Sequence, residues 1–375
     1  MISTESELQE FCKQLRDDIN TAELKEAFLT VDTEFVMNSA TVLCSIQIAS
    51  EKQADIIDTL AVKDLSALSD IFADSGVLKV FHGCDQDVDI LIRNGIDLQN
   101  IYDTQLAELA LSSDKLASYA TLVLKYLKRH LKKTYKISDW EKRPLSAEQE
   151  KYALDDVIYL RDIFKRQYEL LADLKRLEWV YEEMNYKLAS YRNASENDVL
   201  SAFSKHIYEL EEGALAILKE LALWRVKIAK AEHIPEHLVL KNDILLSVAK
   251  GGMNRIRQIQ KSRFYKDKMV REFVSAATKI CKGYTIRFQA LEKDNTAMAD
   301  FLRIILDYCS QQFNINRNFI ADNEDILAIA NSVQSVCEKF QHGWRNDVFG
   351  KYIQPAKEGK ILISIDNGTL RIIEK

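Results

Sequence analysis

Phe28-Leu29-Thr30-Val31-Asp32-Thr33-Glu34-Phe35 is an apolar run that closes on two acids. On a strand, residues two apart point to the same face, so Asp32 and Glu34 project together. Strand ends beside a sheet crevice are where α/β folds place their chemistry. Two carboxylates there suit a hard divalent cation, which prefers oxygen ligands. Two solvated acids on an edge strand would leave the same pattern. Asp322 and Glu324 repeat the spacing in what reads as a polar loop. The surrounding chain decides between the two readings.

Upstream, Thr4-Glu5-Ser6-Glu7 reads as a capping box opening a helix with Leu8, Phe11, Cys12 and Leu15 on its apolar side. Downstream, Val42 to Ala49 and Ile56-Ile57-Asp58 read as strands, Asp64 to Phe72 as a helix, and Val77 to Phe81 as a buried strand ending at His82-Gly83. Asp85, Asp87 and Asp89 then stand at a helix start, where the positive end of the helix dipole favours acids. That explanation suffices for Asp85. Ile101-Tyr102-Asp103 is a further short strand, with Asp103 or Thr104 capping the next helix, and Lys115 to Leu127 is again helical in spacing. Ser146-x-x-Gln149 opens a long helix to about Arg176, carrying Tyr152 and Asp156 four residues apart on one face. Tyr135 and Asp139 repeat that spacing, so it carries little alone. Strands alternating with helices on this rhythm make an α/β domain. Beyond residue 170 only helical patterns recur until Ile361 to Ile373, where Asn367-Gly368 between alternating apolar residues signals a hairpin.

With 375 residues, the chain has room for two or three domains, and 47% hydrophobic with 29% charged residues describes a globular protein. Eleven glycines and three prolines favour long helices over a turn-rich all-β fold. A formal charge of −6 does not announce a nucleic-acid binder, so a polyanion would need a local basic patch or metal ions. Six scattered cysteines without a Cys-x-x-Cys pair argue against a disulfide scaffold or a structural zinc site and for a reducing cytoplasm. Residues 1–20 are too polar for a signal peptide, and no apolar run reaches membrane-spanning length.

Asp32 and Glu34 on a strand end, Asp87 at a helix start and Asp156 on a later helix come from separate elements of one α/β sheet. Together they could hold two magnesium or manganese ions for an in-line phosphoryl displacement. Tyr152, one turn before Asp156, would orient the attacking water; with a pKa near 10 it positions rather than deprotonates.

In order and context these motifs resemble the DEDD superfamily of 3′–5′ exonucleases, in its tyrosine branch, and closely resemble the ribonuclease D family. Asp32-Thr33-Glu34-Phe35, His82-Gly83-Cys84-Asp85-Gln86-Asp87 and Tyr152-Ala153-Leu154-Asp155-Asp156 match the three motifs, which places the second acid on Asp87 and the last on Asp156. Ser45-Ile46-Gln47-Ile48-Ala49, Asp103-Thr104-Gln105 and Asp139-Trp140-x-x-Arg143-Pro144-Leu145 add to the likeness. The histidine branch would need a histidine just before the last acid, where this chain has Lys151-Tyr152. The resemblance implies that Asp32, Glu34 and Asp156 contact one metal, that Asp32 bridges to a second, and that Asp87 holds the second partly through water. It implies a ribonuclease H-like α/β exonuclease domain, a mixed sheet with flanking helices, over 1–175, and a helical linker over 176–205. The family usually shows a basic residue and an aromatic after the first motif; here Val36-Met37-Asn38-Ser39-Ala40 stands there, which puts contacts to the terminal nucleotides in doubt.

Leu223-Trp224-Arg225 to Ala229, Ile234-Pro235 and Leu238 to Ala249 resemble the HRDC module, a small helical bundle, expected over 206–290. Gly343-Trp344-Arg345 and Phe349-Gly350 suggest a second, divergent all-α copy over 291–375, ending in the hairpin, which the family does not lead one to expect. Basic residues cluster at 250–287, including Arg255 and Arg257, and again in Lys125, Lys128, Arg129, Lys132, Lys133 and Lys136, interleaved with Tyr126 and Tyr135. Such clusters offer phosphate contacts and stacking surfaces for single-stranded RNA. With Thr33, Phe35, His82 and Gln105, the residues Lys125, Arg129, Arg255 and Arg257 form the expected substrate contacts. The resulting expectation is a monomeric, cytoplasmic exoribonuclease releasing 5′-monophosphates from single-stranded RNA 3′ ends, tRNA precursors among them, with no obligatory protein partner and no membrane. A DNA exonuclease and a non-catalytic RNA-binding scaffold are the alternatives; the presence of all four acids and Tyr152 weighs against the scaffold.

Overall fold

The computed structural model describes residues 1–375 except 22–25, 38–40, 132–137, 194–198, 201–202, 204–209, 211, 233–238, 285–295, 333, 367–368 and 375. Expectations about Asn38-Ser39-Ala40, Lys132, Lys133, Tyr135, Lys136, Ile234-Pro235, Leu238 and the Asn367-Gly368 turn lie outside the described residues.

Helix α1 (Glu5–Asn20) begins with the capping box: the Glu7 N–H donates to Thr4 Oγ1 (3.3 Å) and the Thr4 N–H to Glu7 Oε2 (3.0 Å). It buries Leu8, Phe11, Cys12 and Leu15. Five strands follow: β1 (Ala27–Met37), β2 (Thr41–Ala49), β3 (Ala54–Asp58), β4 (Val77–Phe81) and β5 (Ile101–Asp103). They form one sheet in the order β3-β2-β1-β4-β5. β1, β2 and β3 pair antiparallel, whereas β4 and β5 run parallel to β1. This is the expected mixed sheet. Its parallel half is connected through α2 (Ser66–Phe72) and α3 (Asp85–Arg93), as parallel strands require a crossover. α4 (Thr104–Leu111) and the short α5 (Tyr119–Leu122) lead to the long α6 (Ala147–Asp173).

β1 is the central strand, and α6 packs directly on it. Thr30 Oγ1 donates to the Val157 carbonyl (2.8 Å), and the Phe28 and Phe164 rings lie 4.7 Å apart. The β1–β2 register shifts between Glu34 and Phe35: Glu34 pairs with Ser45 and Phe35 with Leu43, so Cys44 is an extra residue in β2. Two elements depart from expectation. Of 115–127 only α5 is α-helical, because Ser118 caps it by accepting from the Thr121 N–H; residues 123–127 form a wider π turn ended by Lys128 at φ 56°. Glu324, read as part of a polar loop, lies instead in the first turn of a helix, Asn323–Ala330, where its charge suits the dipole.

Helices continue with α7 (Leu177–Asn193), α8 (Glu212–Glu232), α9 (Asn242–Gln260) and α10 (Lys268–Lys282), then α11 (Thr296–Phe313), and several short helices reach Lys357. The chain divides into two compact units. One gathers Met1–Arg192 with Asp300–Asn323 and Glu338–Lys375; the other holds Asn193–Ala299 with Glu324–Cys337. The second unit has its own core of Ile217, Leu218, Leu221, Leu245 and Phe273, with Trp224 packed against Phe273 at 5.5 Å. In the first unit Trp344 stacks on Trp179 (5.0 Å), and the buried Arg345 pairs with Glu182 and Glu183 of α7. β6 (Ile361–Asp366) and β7 (Thr369–Glu374) form the expected antiparallel hairpin, with Ile365 73% exposed. Among the described residues no helix is long and apolar enough to cross a membrane, and all six cysteines are free.

Candidate active site

The alternation of β1 sets the site. Asp32 and Glu34 share a face, and α6, stitched to β1 through Thr30 and Val157, brings Asp156 to them. One carboxylate oxygen from each of Asp32, Glu34 and Asp156 lies within 4.8 Å of the others, and all three residues are partly buried. Asp87 enters from the first turn of α3. It is buried, and its Oδ1 accepts a hydrogen bond from Thr33 Oγ1 at 2.5 Å. Thr33, expected to contact substrate, has its hydroxyl committed to Asp87 instead.

Burial, and then the charges of Asp87, Asp156 and Glu34, push the Asp32 carboxyl well above its ordinary range. Burial raises Asp87 to about 6 against the opposing hydrogen bond from Thr33. Four acids that repel one another, offering hard oxygen donors in a partly closed space, fit a divalent cation, which converts the repulsion into attraction. Tyr152 hydrogen-bonds the Asp156 carboxylate; burial and then the charges of Asp156, Glu34 and Asp32 raise its pKa, so its proton stays on. Tyr119 donates to the carbonyls of Asp155 (3.0 Å) and Asp156 (2.8 Å), fixing the α6 backbone at the last acid.

The other expected contacts fall into three kinds. Phe35 is partly buried at the β-bulge. His82 Nδ1 lies 3.0 Å from Thr104 Oγ1, whose own proton goes to the Phe81 carbonyl, so the imidazole must donate there. Burial lowers His82 to about 4, leaving it neutral at pH 7. Gln105 is tied by its side chain to the Ala117 carbonyl (2.9 Å), and Lys125 forms an ion pair with the buried Glu108. Arg129 lies over the ring of Tyr159 at 5.3 Å, one turn beyond Asp156 on α6. Arg255 and Arg257 stand on α9 in the second unit; Arg255 bonds Ser247 and Gln258, and Arg257 is exposed.

Two supporting pairs had no sequence signal of their own. Asp103, 1% exposed at the end of β5, accepts from the N–H groups of Gly83 (2.8 Å), Cys84 (3.2 Å) and Gln105 (2.9 Å). It thereby ties down the turn that launches α3. Lys187 of α7 supplies the countercharge, 3.1 Å from Asp103 and 2.8 Å from Asp85. Arg143 forms the other pair, with Asp58. Asp103 and Arg143 fall in segments quoted for resemblance, but their partners are more than eighty residues away along the chain.

Residues 1–171 match the family model of a 3′–5′ exonuclease. Ribonuclease D of Sphingobium indicum is 30% identical over 390 residues, spanning 99% of this chain and 98% of that protein. The chain belongs to the ribonuclease D family. Ribonuclease D of Nitrobacter hamburgensis is also 30% identical, over 100% of this chain and 99% of its own length. The crystal structure of Escherichia coli RNase D shares the fold, with a TM-score of 0.75 at 22% identity over 96% of this chain and 98% of that one. As a ribonuclease D family member the chain is a nuclease, a hydrolase of phosphodiester bonds, and its fold implies use of a divalent metal.

Proposed function

We propose that the chain is a metal-dependent 3′–5′ exoribonuclease that removes nucleotides one at a time from single-stranded RNA 3′ ends and releases 5′-monophosphates. The observation that carries this is the meeting of Asp32, Glu34 and Asp156, with oxygens within 4.8 Å of one another, beside the buried Asp87. In this reading Asp32, Glu34 and Asp156 hold one magnesium or manganese ion, and Asp32 and Asp87 serve a second. Bound there, such ions would supply Lewis acidity toward the attacking water and the departing 3′ oxygen. Thr33 keeps Asp87 turned toward the site. Tyr152 retains its proton and orients the attacking water by hydrogen bonding, since a phenol with a raised pKa is a poor base at pH 7.

In this reading Arg129, which lies over the ring of Tyr159, contacts the RNA backbone, and the basic residues of α9 and α10 add salt-sensitive grip. We read 206–290 and 291–375 as HRDC-like modules serving that purpose. Structured RNAs such as tRNA precursors are the proposed substrates, in line with the Escherichia coli RNase D, an exoribonuclease involved in structured RNA processing. A monomer in the cytoplasm, where six free thiols persist, completes the reading. The test incubates the protein with a short 3′-tailed RNA, a matched DNA and manganese, beside Asp156→Ala. Stepwise release of mononucleotides from RNA by the parent, and none by the variant that still binds RNA, is expected. Equal release by both would overturn the assignment.

A further inference from the structure

Residues 138–146 lead into α6 and carry none of the four site acids, yet they are held by a dense set of side-chain hydrogen bonds. All five N–H groups of Arg143 are used. Nε and Nη2 grip Asp58 Oδ2 and Oδ1 (2.7 Å each). Nη2 also donates to the Cys44 carbonyl (2.8 Å), and Nη1 to the carbonyls of Trp140 (2.7 Å) and Lys142 (3.0 Å). Cys44 is the extra residue of the β2 bulge, directly across from the Glu34–Phe35 step of β1. A bulged residue drops out of the ladder and leaves its carbonyl for another donor. The guanidinium therefore joins the strand irregularity beside the acids to the segment that carries Trp140.

That segment is also fastened to the first turn of α6. Ser146 and Gln149 cap the helix reciprocally, and Gln149 Nε2 reaches back to Ser138 Oγ (2.8 Å) and the Asp139 carbonyl (3.2 Å). Held at both ends, Trp140 is 3% exposed and packs with Cys44, Ile56, Leu145 and Ala153. Its ring lies 6.2 Å from that of Tyr152, which packs against this cluster while its hydroxyl reaches Asp156. A half-buried tyrosine keeps one rotamer only if a wall of fixed position stands beside it.

We infer that Arg143, acting through Trp140, is a positioning residue for Tyr152. It clamps the indole that holds the phenol in line with Asp156, and touches neither metal nor RNA. The inference rests on the role given above to Tyr152. Lysine at 143 would keep the charge but lose the planar fork that matches a carboxylate and three carbonyls at once.

The test is a double-mutant cycle on the full chain with a 3′-tailed RNA and manganese. A positioned hydroxyl contributes about 100-fold, so Tyr152→Phe should lower kcat by about that factor. Arg143→Lys should lower kcat by about tenfold, because misplacement of a reacting geometry is costly at a distance. The double variant should be no slower than Tyr152→Phe alone, since the clamp has nothing left to position. Manganese affinity by calorimetry and KM for RNA should stay unchanged in Arg143→Lys. Trp140→Phe, which thins the wall and leaves the clamp, should repeat the pattern and carries the test should Arg143→Lys fail to fold. Multiplying losses when Tyr152→Phe is combined with Arg143→Lys and with Trp140→Phe, or weakened manganese binding alongside the fall in kcat, would overturn the inference alone. Wild-type kcat in Tyr152→Phe would overturn the role of Tyr152 and the inference with it.

Discussion

Replacing Lys187 by methionine removes a countercharge and leaves everything else that holds Asp103 in place. The carboxylate keeps its three backbone donors, Gly83, Cys84 and Gln105, at 2.8 to 3.2 Å. Breaking a buried pair by deleting one partner costs about 3–5 kcal/mol when the survivor is left bare. Lys187 is 21% exposed and the survivor here remains hydrogen-bonded, so the loss should be about 2–3 kcal/mol. For a unit of this size that lowers the thermal midpoint by about 5–10 °C. The pH dependence has a definite sign. Burial works against Asp103 ionising, but the charge of Lys187 and the Gly83 N–H outweigh it and hold the group below its ordinary range. Its contribution is therefore present above about pH 3.9 and is lost as pH falls through the lowered value. Lys187 is raised, burial being outweighed by Asp103, so its contribution is complete below about pH 10.4 and is lost only as pH rises further. Melting curves of both proteins from pH 3 to 9 should show a gap that is widest near neutrality and closes in acid as Asp103 takes up a proton. An unchanged midpoint at pH 7, or a gap that widens toward pH 3, would refute the argument.

Three further perturbations probe the acids directly. Manganese at a hundredfold excess over its Kd should stabilise the chain by about 2.7 kcal/mol. Asp32 is raised by burial and by its acidic neighbours, so without metal it destabilises the fold above its folded pKa and is relieved as pH falls. The manganese-induced rise in midpoint should thus be larger at pH 8 than at pH 5, and Asp32→Asn should raise the metal-free midpoint; equal shifts at both pH values would contradict this. Thr33→Val removes the hydroxyl donor from Asp87, at a cost of about 1–3 kcal/mol. In the metal-free protein the Asp87 pKa should climb above about 6, as a carboxyl-carbon NMR titration without metal would read; an unmoved pKa would count against the role given to Thr33.

The acids were legible because their signals are local. The period of two across Asp32-Thr33-Glu34 and the four-residue step from Tyr152 to Asp156 each specify a face without knowledge of the rest of the chain. Strand and helix alternation likewise revealed the α/β sheet. The supports were hidden for the complementary reason. Lys187 meets Asp103, and Arg143 meets Asp58, only after more than eighty residues of chain have folded between them. A lysine or arginine on a helix or loop otherwise reads as a solvated charge. Lys125 was misleading in the same way, reading as part of a basic surface while its ammonium meets the buried Glu108. The bulge at Cys44 could not be read either, because an extra residue in β2 leaves the apolar run unbroken.

The geometry of α6 also bears on how exonucleases of this kind diverge. Lys151 lies on the exposed side of the helix and pairs with Asp155 (2.7 Å), whereas Tyr152, the next residue, turns inward against Trp140. Neighbouring residues on an α-helix are rotated about 100° from one another. A histidine introduced at 151 would look away from the place the phenol fills. On this helix, therefore, a side chain at 151 reaches the place of the phenol only if the helix itself turns.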